Sequence, residues 1–302
     1  MTVTRKPGHL DARTAAHLAL SDKARIERIL APRWIGYPVA KEILERLEAL
    51  LVHPKSHRMP NLLIVGETNN GKTMLLQRFQ SLHMPVDTGD EAAIHVPVLV
   101  VQAPPVPDEG RLYTTILERL FTPFKSSFRL DRKQTEAVRR LQQVRLKCLC
   151  IDEIQHVLSG SENRQKAFLN VVKYIGNELQ VPIVGVGTRD AWRAIQTDPQ
   201  MANRFAPMVL PRWELDEVFM RLLASFERML PLKEPSNLYE PKLAARLHAM
   251  SEGYIGELSR LLIEAAVKAV KSGAERIDDK VLDAIRWAAP KDRKRVLDRV
   301  IG

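Results

Sequence analysis

The pattern of apolar positions changes character near residue 212. Before that point, short runs that are apolar throughout alternate with segments whose apolar residues recur every three to four positions. NLLIV (61–65), HVPVLVVQA (95–103), LKCLCID (146–152), VPIVGVG (181–187) and the short MVL (208–210) read as strands. None alternates apolar with polar, as a half-solvated strand would, so the pattern predicts a parallel sheet covered by helices on both faces. Helical spacing occupies 40–51, where Ile43, Leu44, Leu47, Leu50 and Leu51 share a face, then 72–82 and 110–122, with Leu112, Ile116, Leu117 and Leu120 inward. It continues at 131–146, 163–179 and 189–204. After Trp213 the strand signals stop, and 214–230, 240–251, 256–272 and 278–289 are all amphipathic helical patterns. The expected organisation is an N-terminal extension (1–30), an α/β core (31–212), a small all-helical domain (213–290) and a basic C-terminal tail (291–302). The chain has no internal repeat and no low-complexity segment.

The first strand runs directly into GETNNGKT (66–73), which fits G-x-x-x-x-G-K-[ST] in full. A chain of this length would contain that string by accident roughly once in a hundred cases. The context it needs is present too, an apolar strand before it and a helix beginning at its lysine. Gly66 and Gly71 permit the turn that aims backbone N–H groups at phosphate oxygens. Glu67, Thr68, Asn69 and Asn70 make up the rest of the loop. Lys72 has the reach for the β and γ phosphates, and the Thr73 hydroxyl is a ligand for Mg²⁺. An ordinary glycine-rich turn is the competing reading.

A phosphate loop calls for a carboxylate at the end of another core strand, and LKCLCIDE supplies Asp152 followed by Glu153. Asp152 is placed to hold the metal and its water, and Glu153 to orient and deprotonate the attacking water. The two acids would equally serve as caps of a following helix. The bound species expected are therefore ATP and Mg²⁺.

Composition narrows the class without naming it. An apolar fraction of 45% and a charged fraction of 27% are ordinary for a globular protein. No apolar run approaches the roughly 20 residues that span a bilayer. The N-terminus lacks a signal-peptide core, so a cytoplasmic protein with no membrane partner is the expectation. Cys148 and Cys150, the only cysteines, share one face of a strand and are expected as buried, reduced thiols. The net charge of +10, from 46 basic and 36 acidic residues, allows a polyanionic partner such as nucleic acid. Its densest stretch, 124–147, carries Lys125, Arg129, Arg132, Lys133, Arg139, Arg140, Arg145 and Lys147 against Asp131 and Glu136. That run is either a DNA-facing surface or a solvated helix face. The tail KDRKRVLDR (291–299) is a second candidate for contact with DNA or a protein.

One further strand, 95–103, falls between the loop strand and the Asp-Glu strand. With a glutamate next to the metal-binding aspartate, this resembles the additional-strand class of phosphate-loop ATPases. The helical domain after the sheet resembles the lid of AAA+ proteins in particular. WIGYPVA (34–40) is similar to the AAA+ linker whose Ile-Gly pair, here Ile35 and Gly36, packs on adenine; an ordinary helix-entry turn is the alternative. Thr188, after VPIVGVG, stands where that family has a polar sensor of the γ-phosphate. DPQMANRF (198–205) resembles the segment whose arginine reaches a neighbour's nucleotide, which implies Arg204, with Arg189, Arg193 and Arg212 as alternatives. EGYIGELSRLLIEAA (252–266) resembles the lid helix that carries a second sensor, with Arg260 the nearest basic residue. Ser259 stands where the commoner Gly-x-x-Arg spacing puts the arginine, so Arg260 is either that sensor or part of a structural ion pair.

Within AAA+ proteins, LLIVGETNNGKT, LCIDEIQHVLSGS, GVGTRDAWRAIQTDPQMANRF and GYIGELSRLL together resemble the TniB group of transposition regulators, relatives of TnsC and MuB. The resemblance spans about residues 30–270. It implies an ATPase that forms a homo-oligomeric ring or filament on double-stranded target DNA without sequence preference. It also implies recruitment of a DDE transposase, with a target-selection adaptor as a further partner, and disassembly on hydrolysis. A replication initiator or helicase loader is the runner-up, but the stretch after residue 273 is short for an appended winged helix. A secretion ATPase has no amphipathic or transmembrane support. A nucleotide-gated scaffold with little hydrolysis is the remaining alternative, against which the Asp152–Glu153 pair argues.

Overall fold

Five strands form one parallel sheet in the computed structural model, which describes residues 8–87, 89, 94–125 and 128–293. In chain order they are β1 (Asn61–Gly66), β2 (Val98–Gln102), β3 (Cys148–Asp152), β4 (Ile183–Gly187) and β5 (Phe205–Leu210). Their order across the sheet is β2-β3-β4-β1-β5. Every residue of β1, β3 and β4 is buried, the outcome expected where helices cover both faces. On one face the helices Glu109–Arg119, Leu130–Gln143 and Glu162–Leu179 contribute Leu112, Ile116, Leu141, Phe168, Leu169 and Val172 to a common core with Leu63, Leu149 and Ile151. Full burial of such a side chain is worth about 1.5–3 kcal/mol relative to exposure. Parallel strands all point their C-terminal ends to one rim, so the loops after β1, β3 and β4 meet there. Cys148 and Cys150 are buried and unbridged, with Sγ atoms 3.9 Å apart.

Several elements differ from their sequence expectation. The strand separating the loop strand from the Asp-Glu strand in the sheet is β4, whereas β2, from the 95–103 run, lies at the edge. Pro97 and an isolated antiparallel bridge between Val86 and His95 precede β2, which covers Val98–Gln102 of that run. The helix expected over 189–204 breaks into Arg189–Gln196 and Pro199–Ala202. Pro199 lacks an N–H and disfavours helical geometry at Asp198, whose carboxylate caps the next turn through Gln200 N and Met201 N. The last helix, expected over 278–289, stops at Asp283.

The chain divides into two compact units, residues 38–211 and residues 8–37 with 212–293. Residues 31–37, expected in the α/β core, and the extension before them therefore belong to the helical unit. The reason is a shared core: Ile29 and Ile35 pack with Phe219, Leu223, Leu247, Leu261 and Leu262. Polar ties reinforce it. The fully buried Arg25 donates to both carboxylate oxygens of Glu275, at 2.6 and 2.8 Å, and to Asp22 at 2.8 Å. Those bonds, with Arg25 foremost, hold the Glu275 carboxyl down to about 2. Glu227, also buried, accepts from the N–H groups of Ser236, Asn237 and Leu238 at 2.8–2.9 Å. Among the described residues, no helix is long and apolar enough to cross a membrane. Residues 294–299 of the basic tail, and Ser126 and Ser127 of the basic segment, lie outside the described residues.

Candidate active site

Gly66 closes β1 against β5. A Cβ on it would meet Leu210 Cβ at 3.1 Å and Leu210 O at 3.2 Å, so a larger residue would push the strands apart. Asn69 (φ 62°) and Gly71 (φ 83°) adopt left-handed backbone conformations. Such residues set among right-handed ones let successive N–H groups face a common centre, the concavity that binds phosphate. Asn70 is buried and turns away from that centre: its Nδ2 donates to Leu210 O at 2.7 Å and Pro211 O at 2.8 Å, which clips the loop to the end of β5. Thr68 and Asn69 are exposed, and Glu67 is half-buried, 3.5 Å from Arg189.

Lys72 is buried and donates to two neutral carbonyls, Gly66 O at 2.9 Å and Glu67 O at 2.7 Å. Burial pushes its ammonium pKa down, against the pull of Glu153, Asp152 and Glu67. Thr73 Oγ1 donates to Asp152 Oδ2 at 2.9 Å, and Glu153 N donates to the other Asp152 oxygen at 2.9 Å. Asp152 is 7% exposed, and burial pushes its pKa up, partly offset by the Thr73 hydrogen bond. Glu153 has a left-handed backbone (φ 55°), and its side chain makes no cap for the turn Ile154–Ser159 that follows. Gln155 Nε2 instead donates to the Glu153 carboxylate, while Gln155 Oε1 accepts from Thr188 N at 3.2 Å. Thr188 emerges from β4, between the loop strand and the Asp152 strand.

These residues fit a Mg²⁺-bound nucleoside triphosphate. A buried cation rests on carbonyls rather than on a counter-ion, beside a loop shaped for phosphate and a hydroxyl–carboxylate pair suited to a hard metal. Among the described residues no group of three or more His, Cys, Asp or Glu side chains could hold a metal. A cation here would therefore rest on Thr73, Asp152, water and phosphate oxygens, the usual environment of Mg²⁺.

Comparison with known proteins then decides the family. Residues 25–215 match the family described as Bacterial TniB protein, which is most of the chain. The chain belongs to the TniB family. No curated protein matches it. Among solved structures, it is similar to ORC1 from Aeropyrum pernix, determined in complex with DNA: 20% identical, covering 91% of this chain and 71% of that one, with a TM-score of 0.62. ORC2 from the same organism, in ADPNP and ADP complexes, is 16% identical over 84% of this chain and 70% of its own, at a TM-score of 0.57. Domain III of the replication initiation protein DnaA from Thermotoga maritima is 14% identical over 85% and 92%, at 0.53. At these identities the likeness is one of fold. The fold is that of AAA+ P-loop NTPases, a helix-covered parallel sheet with a small helical unit.

The remaining candidates of this TniB family member lie elsewhere. Arg204 precedes β5 at the opposite rim and donates to Asn177 Oδ1 at 2.8 Å. β1 and β5 run side by side from Asn61–Phe205 to Gly66–Leu210, so about 17 Å of strand separates Arg204 from the loop rim. Arg204 cannot reach its own chain's loop. Of its alternatives, Arg189 faces Glu67, Arg193 pairs with Asp190 at 3.3 Å, and Arg212 lies over the Tyr254 ring. In the helical unit, Arg260 pairs with Glu257 at 3.2 Å and lies 4.6 Å from the centre of the Trp287 ring. Ile35 is buried in that unit's core, and Gly36 is exposed. In the basic segment, Arg139 and Arg140 each pair with Glu136 at 2.8 Å, and Arg132 lies 4.0 Å from the centre of the Phe128 ring. Lys125 and Arg129 are exposed beside them, and Lys133 is half-exposed.

One residue at the site escaped the sequence reading, and another was read only in part. Asn70 was expected as a member of the loop, but the clip its side chain makes carries no local signal, because its partners are carbonyls some 140 residues away. Gln155 stands two residues after Glu153, but only the fold shows what its amide touches.

Proposed function

We propose that this chain is an ATP-dependent regulator of DNA transposition, which assembles on double-stranded DNA and is released when ATP is hydrolysed. The observation that carries the proposal is the meeting of Lys72, the Thr73–Asp152 pair and Glu153 at one rim of the sheet in a member of the TniB family. The loop N–H groups and Lys72 bind the β and γ phosphates, and Lys72 exchanges its carbonyl partners for phosphate oxygens. Thr73 and Asp152 would hold Mg²⁺, which when bound would supply positive charge to offset that of the phosphates. Glu153 accepts the proton of the attacking water, and Thr188 marks the γ-phosphate end from β4. Arg204, out of reach of its own loop, serves a neighbouring copy's nucleotide, so the active form is a homo-oligomeric ring or filament. Arg260 and the Ile35–Gly36 pair are the proposed second sensor and adenine contact. The lid is the helical unit, and the protein works in the cytoplasm.

Lys125, Arg129, Arg132 and Lys133 supply the phosphate contacts to DNA, an interaction that is salt-sensitive and indifferent to sequence. The partners handed this DNA are a DDE transposase and a target-selection adaptor. Family membership favours transposition over replication initiation, for which the likeness to ORC1 and DnaA offers the fold alone. The test is electron microscopy of the protein with duplex DNA and a non-hydrolysable ATP analogue. Nucleotide-dependent rings or filaments on the duplex are expected. Glu153→Gln should form them with ATP itself, binding kept and hydrolysis lost. Particles indifferent to nucleotide, or a Glu153→Gln protein that cannot bind ATP, would refute the proposal.

A further inference from the structure

We infer that Gln155 is the positioning residue for Glu153, and that it ties the aim of that carboxylate to the end of β4. The inference rests on the ATPase reading above and deepens it. Both ends of the Gln155 amide are engaged, with Nε2 donating to Glu153 and Oε1 accepting from Thr188 N. The amide has only one sensible orientation. Turned over, it would set a carbonyl against a carboxylate and an NH₂ against an N–H, two repulsions in place of two hydrogen bonds.

The surroundings are built for this reach. Ile154 and Val157 are buried on either side of Gln155 and pin its turn to the core. Gly187, the last residue of β4, leaves room for the amide, since a Cβ there would lie 2.1 Å from Gln155 Oε1. Glu153 stands on a left-handed backbone, a conformation most side chains avoid, so the chain is bent where the carboxylate is aimed. Without Gln155 the glutamate side chain would sample several rotamers, few of them facing a water in line with the γ-phosphate. The second hydrogen bond gives the tether a further property. A displacement of Thr188 at the end of β4 pulls on Gln155 and so on Glu153. The γ-phosphate end of the site and the base that acts there are thereby linked by one side chain.

The experiment compares steady-state ATP hydrolysis and nucleotide binding in the full chain, with duplex DNA present, for the wild type, Glu153→Gln, Gln155→Met and Gln155→Glu. Gln155→Met keeps length and volume and removes both hydrogen bonds; Gln155→Glu keeps the acceptor for Thr188 N but sets a like charge against Glu153. Both should lower kcat about 10- to 30-fold, equivalent to about 1.4–2 kcal/mol, with KM and the affinity for a fluorescent ATP analogue within twofold of wild type. That loss matches the rotamer freedom a long polar side chain gives up when ordered. Wild-type kcat in either variant would overturn the inference, because the side chain would then only fill space. A parallel loss of nucleotide affinity would overturn it too, because Gln155 would then be supporting the loop. Glu153→Gln separates the two readings: if that variant hydrolyses ATP at the wild-type rate, the base assignment itself fails, whatever Gln155 does.

Discussion

Both units of the molecule bury charge, and they handle it in opposite ways. In the helical unit Arg25 is fully buried against Glu275 and Asp22, and Glu227 is buried against three N–H groups. At the loop rim of the sheet, Lys72 rests on two carbonyls, and Asp152 on a hydroxyl and an amide. The first arrangement closes each charge, and the second leaves it open. Removing one member of a closed pair strands the other in a low dielectric, whereas an open charge awaits a partner from outside. Charge balance therefore separates Arg25, which is paired with carboxylates inside the fold, from Lys72, which on the proposed function holds a ligand; Glu227 lies between them, held by neutral N–H groups alone.

The contrast can be broken at four points. Arg204 is another open charge, hydrogen-bonded among the described residues to the neutral Asn177. Arg204→Ala should lower turnover by about 10³-fold in steady-state assays of the assembled protein, while nucleotide affinity at low protein concentration stays unchanged. Normal turnover would pass the role to Arg189, Arg193 or Arg212.

The same substitution should have different consequences in the two units. Arg25→Met leaves the buried Glu275 carboxylate with Lys233 as its remaining cationic partner, at 3.2 Å, and should cost about 3 kcal/mol of stability in denaturant unfolding. Lys72→Met removes a buried cation held by two carbonyls and only at longer range by Glu153, Asp152 and Glu67, so its melting temperature should change far less than that of Arg25→Met while nucleotide affinity falls about 100-fold, equivalent to about 2.7 kcal/mol. Equal destabilisation by both would erase the distinction. The closed pair also carries a pH signature. Glu275 titrates near 2 in the fold against an ordinary 4.5, so its contribution is complete above about pH 4.5 and is lost as pH falls toward 2. Melting temperature followed across that window should drop in the wild type, and less steeply in Glu275→Gln.

The smallest effect is at the surface. Arg132→Glu with Lys133→Glu should flatten the dependence of log affinity for duplex DNA on log salt by about 2 in slope, roughly one per lost phosphate contact. An unchanged slope would make this a plain solvated helix.

The loop and the Asp-Glu pair were legible because their signals are local: a motif of eight residues, and acids at the end of an apolar run. The strands were legible because burial on both faces leaves no polar positions in them. The order of strands was not, since β4 enters between β1 and β3, and its pairing with β1 joins residues more than a hundred positions apart, such as Leu63 with Gly185. The break at Asp198-Pro199 was written in the chain, but helical periodicity on both sides masked it. The destination of residues 8–37 rests on Arg25 finding Glu275, a contact across 250 positions that no periodicity announces. Gln155 was hidden for the same reason, as its second partner arrives on a different strand.

The placement of Arg204 and the phosphate loop at opposite rims gives each molecule a head and a tail. An interface that completes one copy's site with another's arginine is heterologous, so the patches that meet are never the same patch. A closed ring of n copies then holds n completed sites, but an open row holds n − 1, and the odd site is always at the same end. On the function proposed above, such a row would have a direction along DNA, with an incomplete site at one end and an unused arginine at the other.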